Sequence, residues 1–210
     1  MKHLLFMLLF VHASAMVVLA APSESAEQKL NQALQNLDNI TADFEQTVLD
    51  DDNTVVQQSR GKLAIQRPGK FSWIYTAPYE QQIIADGSEL WIYDVDLDQV
   101  TVKPMDTGLA TAPIMVLMKQ NEITGEFTVH EVGQRRSLYW VELRSKVQDM
   151  DYSRVYIGLD GDRVKAMALH DNFGQSTQIV FDNLQLDVVH DPQTFQFVPP
   201  EGVDVFGVGS

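Results

Sequence analysis

Apolar residues recur along this chain with two different periods, and the place where one gives way to the other divides it. Ala26, Leu30, Ala33, Leu34 and Leu37 fall three or four residues apart behind the caps Ser23 and Ser25, which predicts an amphipathic helix. From Ile40 the period becomes two. Ile40, Ala42, Phe44 and Val48 alternate with Thr41, Asp43, Glu45 and Thr47, as in a strand with one buried face. Asp50-Asp51-Asp52-Asn53 marks a turn, and Val56 to Ile65 supplies the partner strand. After a second turn at Arg67-Pro68-Gly69-Lys70, Phe71, Trp73 and Tyr75 share one face of the next strand. Gln82 to Ala85, Leu90 to Tyr93 and Gln99 to Lys103 continue the meander.

The alternation is interrupted once. Thr107 to Lys119 carries Thr111 as a cap, Pro113 in the first turn and then Ile114-Met115-Val116-Leu117-Met118, which predicts a short helix apolar nearly all round. Strands resume at Phe127 to Glu131, Leu138 to Arg144, Arg154 to Leu159, Val164 to Leu169 and Thr177 to Leu186, and Pro199-Pro200 closes the regular structure. About ten strands with two or three helical pieces exclude a βαβ alternation. The pattern predicts a mainly β (α+β) fold, a single curved antiparallel sheet with short helices over its open face.

The first segment, MKHLLFMLLFVHASAMVVLAAP, has a basic start at Lys2, an apolar stretch and small residues around Ala20-Ala21. It reads as a cleaved secretory signal, residues 1–20, followed by one domain, residues 21–210. A membrane anchor is the weaker reading, because His12 and Ser14 interrupt the stretch and no basic stop-transfer cluster follows. With no cysteine at the junction to accept lipid, the mature chain is expected to be soluble and exported, to the periplasm in a bacterium with two membranes.

Composition removes several functions. The net charge is −14, from 15 Lys and Arg against 29 Asp and Glu, which excludes nucleic acid as a partner. The absence of cysteine excludes disulfides, thiolate metal sites and a cysteine nucleophile. Asp94-Val95-Asp96-Leu97-Asp98 resembles the start of a calcium loop, but Gln99 stands where the turn needs glycine and Met105 where a bidentate Glu belongs. It reads as a solvated hairpin tip. His130-Glu131 lacks the second histidine of a zinc-protease helix, and there is no GxSxG elbow. No catalytic residue, metal or cofactor is expected. What stands out is apolar: Phe71, Trp73, Ile84 and Trp91 on neighbouring strands, with Met115, Leu117 and Met118 in the middle helix. These residues form either an ordinary core or a pocket in which thioethers repack around a greasy ligand.

ITADFEQTVLDDDNTVVQQSRGKLAIQRPGKFSWIY, PYEQQIIADGSELWIYDVDLDQVTVKP, TAPIMVLM and the terminal FQFVPPEGVDV together resemble the periplasmic outer-membrane lipoprotein carrier family, LolA, through essentially the whole mature chain. The resemblance implies an incomplete β-barrel with a helical lid over a hydrophobic cavity. It implies acylated lipoproteins as cargo, an inner-membrane ABC transporter that releases them and an outer-membrane receptor that accepts them. Arg67 matches a family arginine that latches the lid through backbone carbonyls, and Phe71 an aromatic near the cavity mouth. Leu117 and Met167 match apolar positions that touch when the lid is shut. The carrier is expected to be a monomer without cofactor. The alternative is a periplasmic lipid-binding or sensing module of the same fold.

Overall fold

A computed structural model describes residues 24–105, 114–118, 123–146 and 152–207. Helix α1 (Ala26–Gln35) begins at Ser25 in a capping box: the Ser25 hydroxyl accepts from the Gln28 amide, and the Gln28 side chain accepts from the Ser25 amide. Its buried stripe of Ala26, Leu30, Ala33 and Leu34 is the periodic set seen in the sequence. The segment 1–20, read above as a signal, and the caps Ser23, Thr111 and Pro113 lie outside the described residues.

The strands are β1 (Asn39–Leu49), β2 (Val55–Gln66), β3 (Lys70–Ala77), β4 (Gln81–Asp86), β5 (Glu89–Asp94), β6 (Gln99–Pro104), β7 (Phe127–Arg135), β8 (Leu138–Ser145), β9 (Tyr152–Asp160), β10 (Arg163–Asp171), β11 (Ser176–Leu186) and β12 (Asp204–Gly207). They form one sheet in the order β12-β6-β5-β4-β3-β2-β1-β11-β10-β9-β8-β7. Every neighbouring pair is antiparallel except β12 on β6. The end strands β12 and β7 do not pair with each other, so the barrel is incomplete. Strand β12 and the short helix α3 (Ile123–Glu126) were not predicted; the middle helix α2 occupies Ile114–Met118.

The period-two pattern sends alternate residues to opposite faces. On the inner face, Phe44, Leu63, Ile65, Phe71, Trp73, Ile157, Met167 and Ile179 merge with Leu30 and Leu34 of α1 and Ile114 and Leu117 of α2 into one cluster. Phe44 stacks on Trp73 with ring centroids 4.1 Å apart. Gly61 makes this possible, because a Cβ there would meet the Phe44 ring at 2.5 Å.

On the outer face the chain after β11 crosses the sheet to reach β6. A 3-10 turn (Pro192–Phe195) buries Phe195, and Phe197 packs on Trp91 and Tyr93 at 5.7 and 5.6 Å. These residues form a second, smaller cluster with Val100 and Val102. No helix among the described residues is long and apolar enough to cross a membrane.

Candidate functional site

Arg67 stands at the end of β2, where the chain turns through Pro68 and Gly69 into β3. Its side chain is only 8 % exposed. Nη1 donates to the carbonyl of Leu34 and Nη2 to that of Leu117, each at 2.5 Å. Both carbonyls belong to the last turns of helices, α1 and α2, where intrahelical donors run out; that of Leu34 also accepts from the Leu37 amide at 3.2 Å. A planar guanidinium can reach two such ends at once, which a lysine ammonium on a flexible stem does less well. A cation there also meets the negative ends of two helix dipoles.

The tie is incompletely satisfied. Asp38, 59 % exposed, pairs with Nη1 at 3.3 Å, and Nε is buried without a hydrogen-bond partner. Burial pulls the Arg67 guanidinium below its ordinary range, while the Asp38 carboxylate pulls it back up. A buried charge with one solvated partner and one idle donor holds the helices without making their position deeply stable.

Beneath this tie the inner face is apolar. Phe71 and Trp73 are fully buried, Leu117 and Met167 are each 1 % exposed in the same cluster, and Met118 packs against it half-buried. The side chain of Met115 lies outside the described residues. Ile84 and Trp91 are a correction. Register places Ile84 opposite both Ser72 and Trp91, and Phe71 opposite Ala85. Residues paired across strands share a face, so Ile84 and Trp91 point away from Phe71 and Trp73. Trp91 lies instead under Phe197, its indole N–H donating to Asp86 at 3.3 Å.

Three participants escaped the sequence. Asp38 and the Leu34 carbonyl pair with Arg67 across 29 and 33 residues, and no local pattern marks them. Gln46 lies on the inner face at 8 % exposure and accepts from the Tyr75 hydroxyl at 3.0 Å. Burial pushes that phenol up, although the bonds it makes pull the other way.

The family model described as outer membrane lipoprotein carrier protein LolA matches residues 35–198. An outer-membrane lipoprotein carrier protein of Methylococcus capsulatus is 42 % identical over 89 % of this chain and 90 % of its own. One from Nitrosospira multiformis is 40 % identical over 84 % and 86 %. The crystal structure of a conserved protein from Thermus thermophilus, 13 % identical, covers 87 % of this chain and 99 % of its own at a TM-score of 0.57, which speaks to the fold alone. From the extent of the model match and the identity of these relatives, the chain belongs to the LolA family of outer-membrane lipoprotein carrier proteins.

Proposed function

We propose that this protein, freed of residues 1–20, carries the acyl chains of lipoproteins through the periplasm as a soluble monomer. It takes them from an inner-membrane ABC transporter and yields them to an outer-membrane receptor, without catalysis or cofactor. One observation carries this reading: the apolar inner face is roofed by helices, and one arginine at the end of a strand bonds the last turns of two of them. Each methylene removed from water is worth about 0.8 kcal/mol, so a dry apolar face can hold acyl chains without any polar bond to them.

Release is the harder step, and Arg67 addresses it. Cargo that enters beneath α1 and α2 displaces them and breaks the guanidinium's bonds to Leu34 and Leu117. The regained bonds favour emptying, so the cargo is held loosely enough to pass to a stronger receptor. Phe71, Trp73, Leu117, Met118 and Met167 line the space that opens.

The test is Arg67→Leu. Each lost bond weakens the closed, empty state by about 1 kcal/mol or more. Incubated with inner-membrane vesicles, ATP and a labelled lipoprotein, the variant should accumulate more soluble complex than the wild type and transfer less of it to receptor-bearing outer membranes. Delivery at the wild-type rate would reduce Arg67 to a structural tie.

A further inference from the structure

Among the described residues, three buried side-chain nitrogens have no hydrogen-bond partner: Nε of Arg67, Nε2 of His190 and Nε1 of Trp73. The first belongs to the tie already described. The second lies in the outer tail, where the His190 ring meets Phe195 edge-on at 5.0 Å. The third stands on the apolar inner face. Trp73 is completely buried there, stacked on Phe44 and edge-on to Phe181, with ring centroids 4.1 and 6.3 Å away.

An indole N–H taken out of water without an acceptor forfeits a hydrogen bond, and buried tryptophans accordingly find partners for it. Trp91 on the outer face does so, donating to Asp86 at 3.3 Å. Trp73 does not, although a hydroxyl is close by. Burial raises the pKa of the Tyr75 phenol and the indole N–H pulls it back, so the two groups are neighbours. They are nevertheless not placed for a hydrogen bond, and the Tyr75 hydroxyl gives its own hydrogen to Gln46 Oε1 at 3.0 Å. A side chain that only filled space would do so without an idle donor. On a face that opens for acyl cargo, that donor faces whatever acceptor the cargo brings. Saturated chains bring none. The carbonyls that join them to glycerol do, and they are uncharged, whereas a carboxylate or phosphate would carry a net charge into the apolar cluster at far greater cost.

We propose that Trp73 Nε1 donates to an ester carbonyl of the cargo's acylglyceryl group, so that Trp73 reads the head of the lipid while Phe71, Leu117 and Met167 hold its chains. The inference rests on the carrier reading above. The bond forms only after α1 and α2 have moved, so the unpaired donor burdens the empty state and is relieved on loading. It therefore acts against the Arg67 tie: the guanidinium's bonds favour the empty carrier, and the indole's bond favours the loaded one. The face thereby prefers an acyl ester to bare hydrocarbon of the same length.

Two lipopeptides serve as probes, each a cysteine peptide whose sulfur carries a glyceryl group with two palmitoyl-length chains, joined by esters in one and by ethers in the other. Titrated calorimetrically into the mature protein from the same non-ionic detergent, the ester probe should bind about fivefold tighter than the ether probe. Trp73→Phe should abolish the preference. So should benzothienylalanine installed in place of Trp73 by nonsense suppression, which keeps the size of the ring and puts sulfur where the N–H was. Trp91→Phe, which removes the outer indole, should keep it. A matched ester and ether pair of phosphatidylethanolamines, whose phosphate would lie beside the buried indole, should show no preference; one of the same size there would overturn the assignment to lipoprotein cargo. Equal binding of both lipopeptides by the wild type, or a preference that survives benzothienylalanine, would overturn the inference and leave the carrier reading standing. Failure of both lipopeptides to bind at all would instead strike the carrier reading itself.

Discussion

On the inner face the cover consists of α1, α2 and α3, of ten, five and four residues. On the outer face it is an extended tail that buries Phe195, stacks Phe197 on Trp91 and Tyr93, and ends as β12 paired with β6. Helices this short as α2 and α3 do not persist alone in water, so their order depends on the side chains they bury and on the bonds made to their ends. Strand β12 is held by backbone hydrogen bonds along its length, which no single side chain controls. One cover thus depends on apolar contacts and a few side-chain bonds at helix ends, from Arg67, from Asn36 to Asp162 and from Lys146 to Thr124, the other on a ladder. On the function proposed above, in which the inner face opens for cargo and the outer face does not, that division serves the carrier.

The largest test sets two tryptophans against each other. Trp73 is completely buried against Phe44, whereas Trp91 is half-buried under Phe197. Trp73→Ala should cost about 3–5 kcal/mol in a urea melt and impair cargo loading, because the hole opens in the face that takes acyl chains. Trp91→Ala should cost about 1–2 kcal/mol and leave loading intact. Loading lost equally in both would show that the outer cluster also serves the cargo.

Two strand glycines give a finer contrast. A Cβ on Gly61 would lie 2.0 Å from the Ile74 carbonyl oxygen and 2.5 Å from the Phe44 ring. Backbone cannot yield there, so Gly61→Ala should cost about 3 kcal/mol. A Cβ on Gly158 would meet only the ends of Trp140 and Leu138, at 3.0 and 3.1 Å. Trp140 is half-buried on the outer face and can shift, so Gly158→Ala should cost under about 1 kcal/mol. Thermal denaturation of the two single variants decides; similar losses would mean that the outer face is packed as tightly as the inner.

These contrasts also separate what the sequence could convey from what it could not. Period two identifies residues that share a face of one strand, and Phe71, Trp73 and the helix stripe of Leu30 and Leu34 were legible on that basis. It does not say which face of the next strand is inner. That follows from register across each turn, and without it Ile84 and Trp91 were grouped with Trp73 although they have the opposite parity. Arg67 was legible only through family resemblance, since its partners are carbonyls that any residue carries. Strand β12 was not legible at all, because its partner β6 lies about a hundred residues earlier and the parallel pairing leaves no hairpin signal.

The ladder on the outer face can be broken directly. Ending the chain after Val203 removes β12 and leaves the edge of β6 unpaired. A bare edge invites pairing with another chain. The shortened protein should lose about 1 kcal/mol of stability and form dimers at high concentration in sedimentation velocity, with the Arg67 tie and cargo loading unchanged. A loss of loading with the monomer preserved would join the tail to the moving part of the molecule.

The smallest expected effect concerns the polar anchors of the two faces and their response to acid. Arg67 stays cationic throughout the range in which the protein is handled, even with its pKa lowered by burial. The outer face relies on Glu142, whose side chain is 7 % exposed and accepts from Arg144 at 2.8 Å and from the Tyr156 hydroxyl at 3.1 Å. The Arg144 hydrogen bond, helped by Tyr156 and Arg154, holds the Glu142 carboxyl below the usual glutamate range against the effect of burial. Its folded-state pKa therefore lies below its unfolded value, so the folded state gains from the charged form. That gain is complete above the unfolded value near 4.5 and disappears as pH falls through the depressed folded value. Urea midpoints measured from pH 7 down to pH 3 should decline in the wild type and decline less steeply in Glu142→Gln, which lacks this gain at every pH. Superimposable slopes would mean that Arg144 and Arg154, each more than half exposed, are too well screened by water to tie the outer face together.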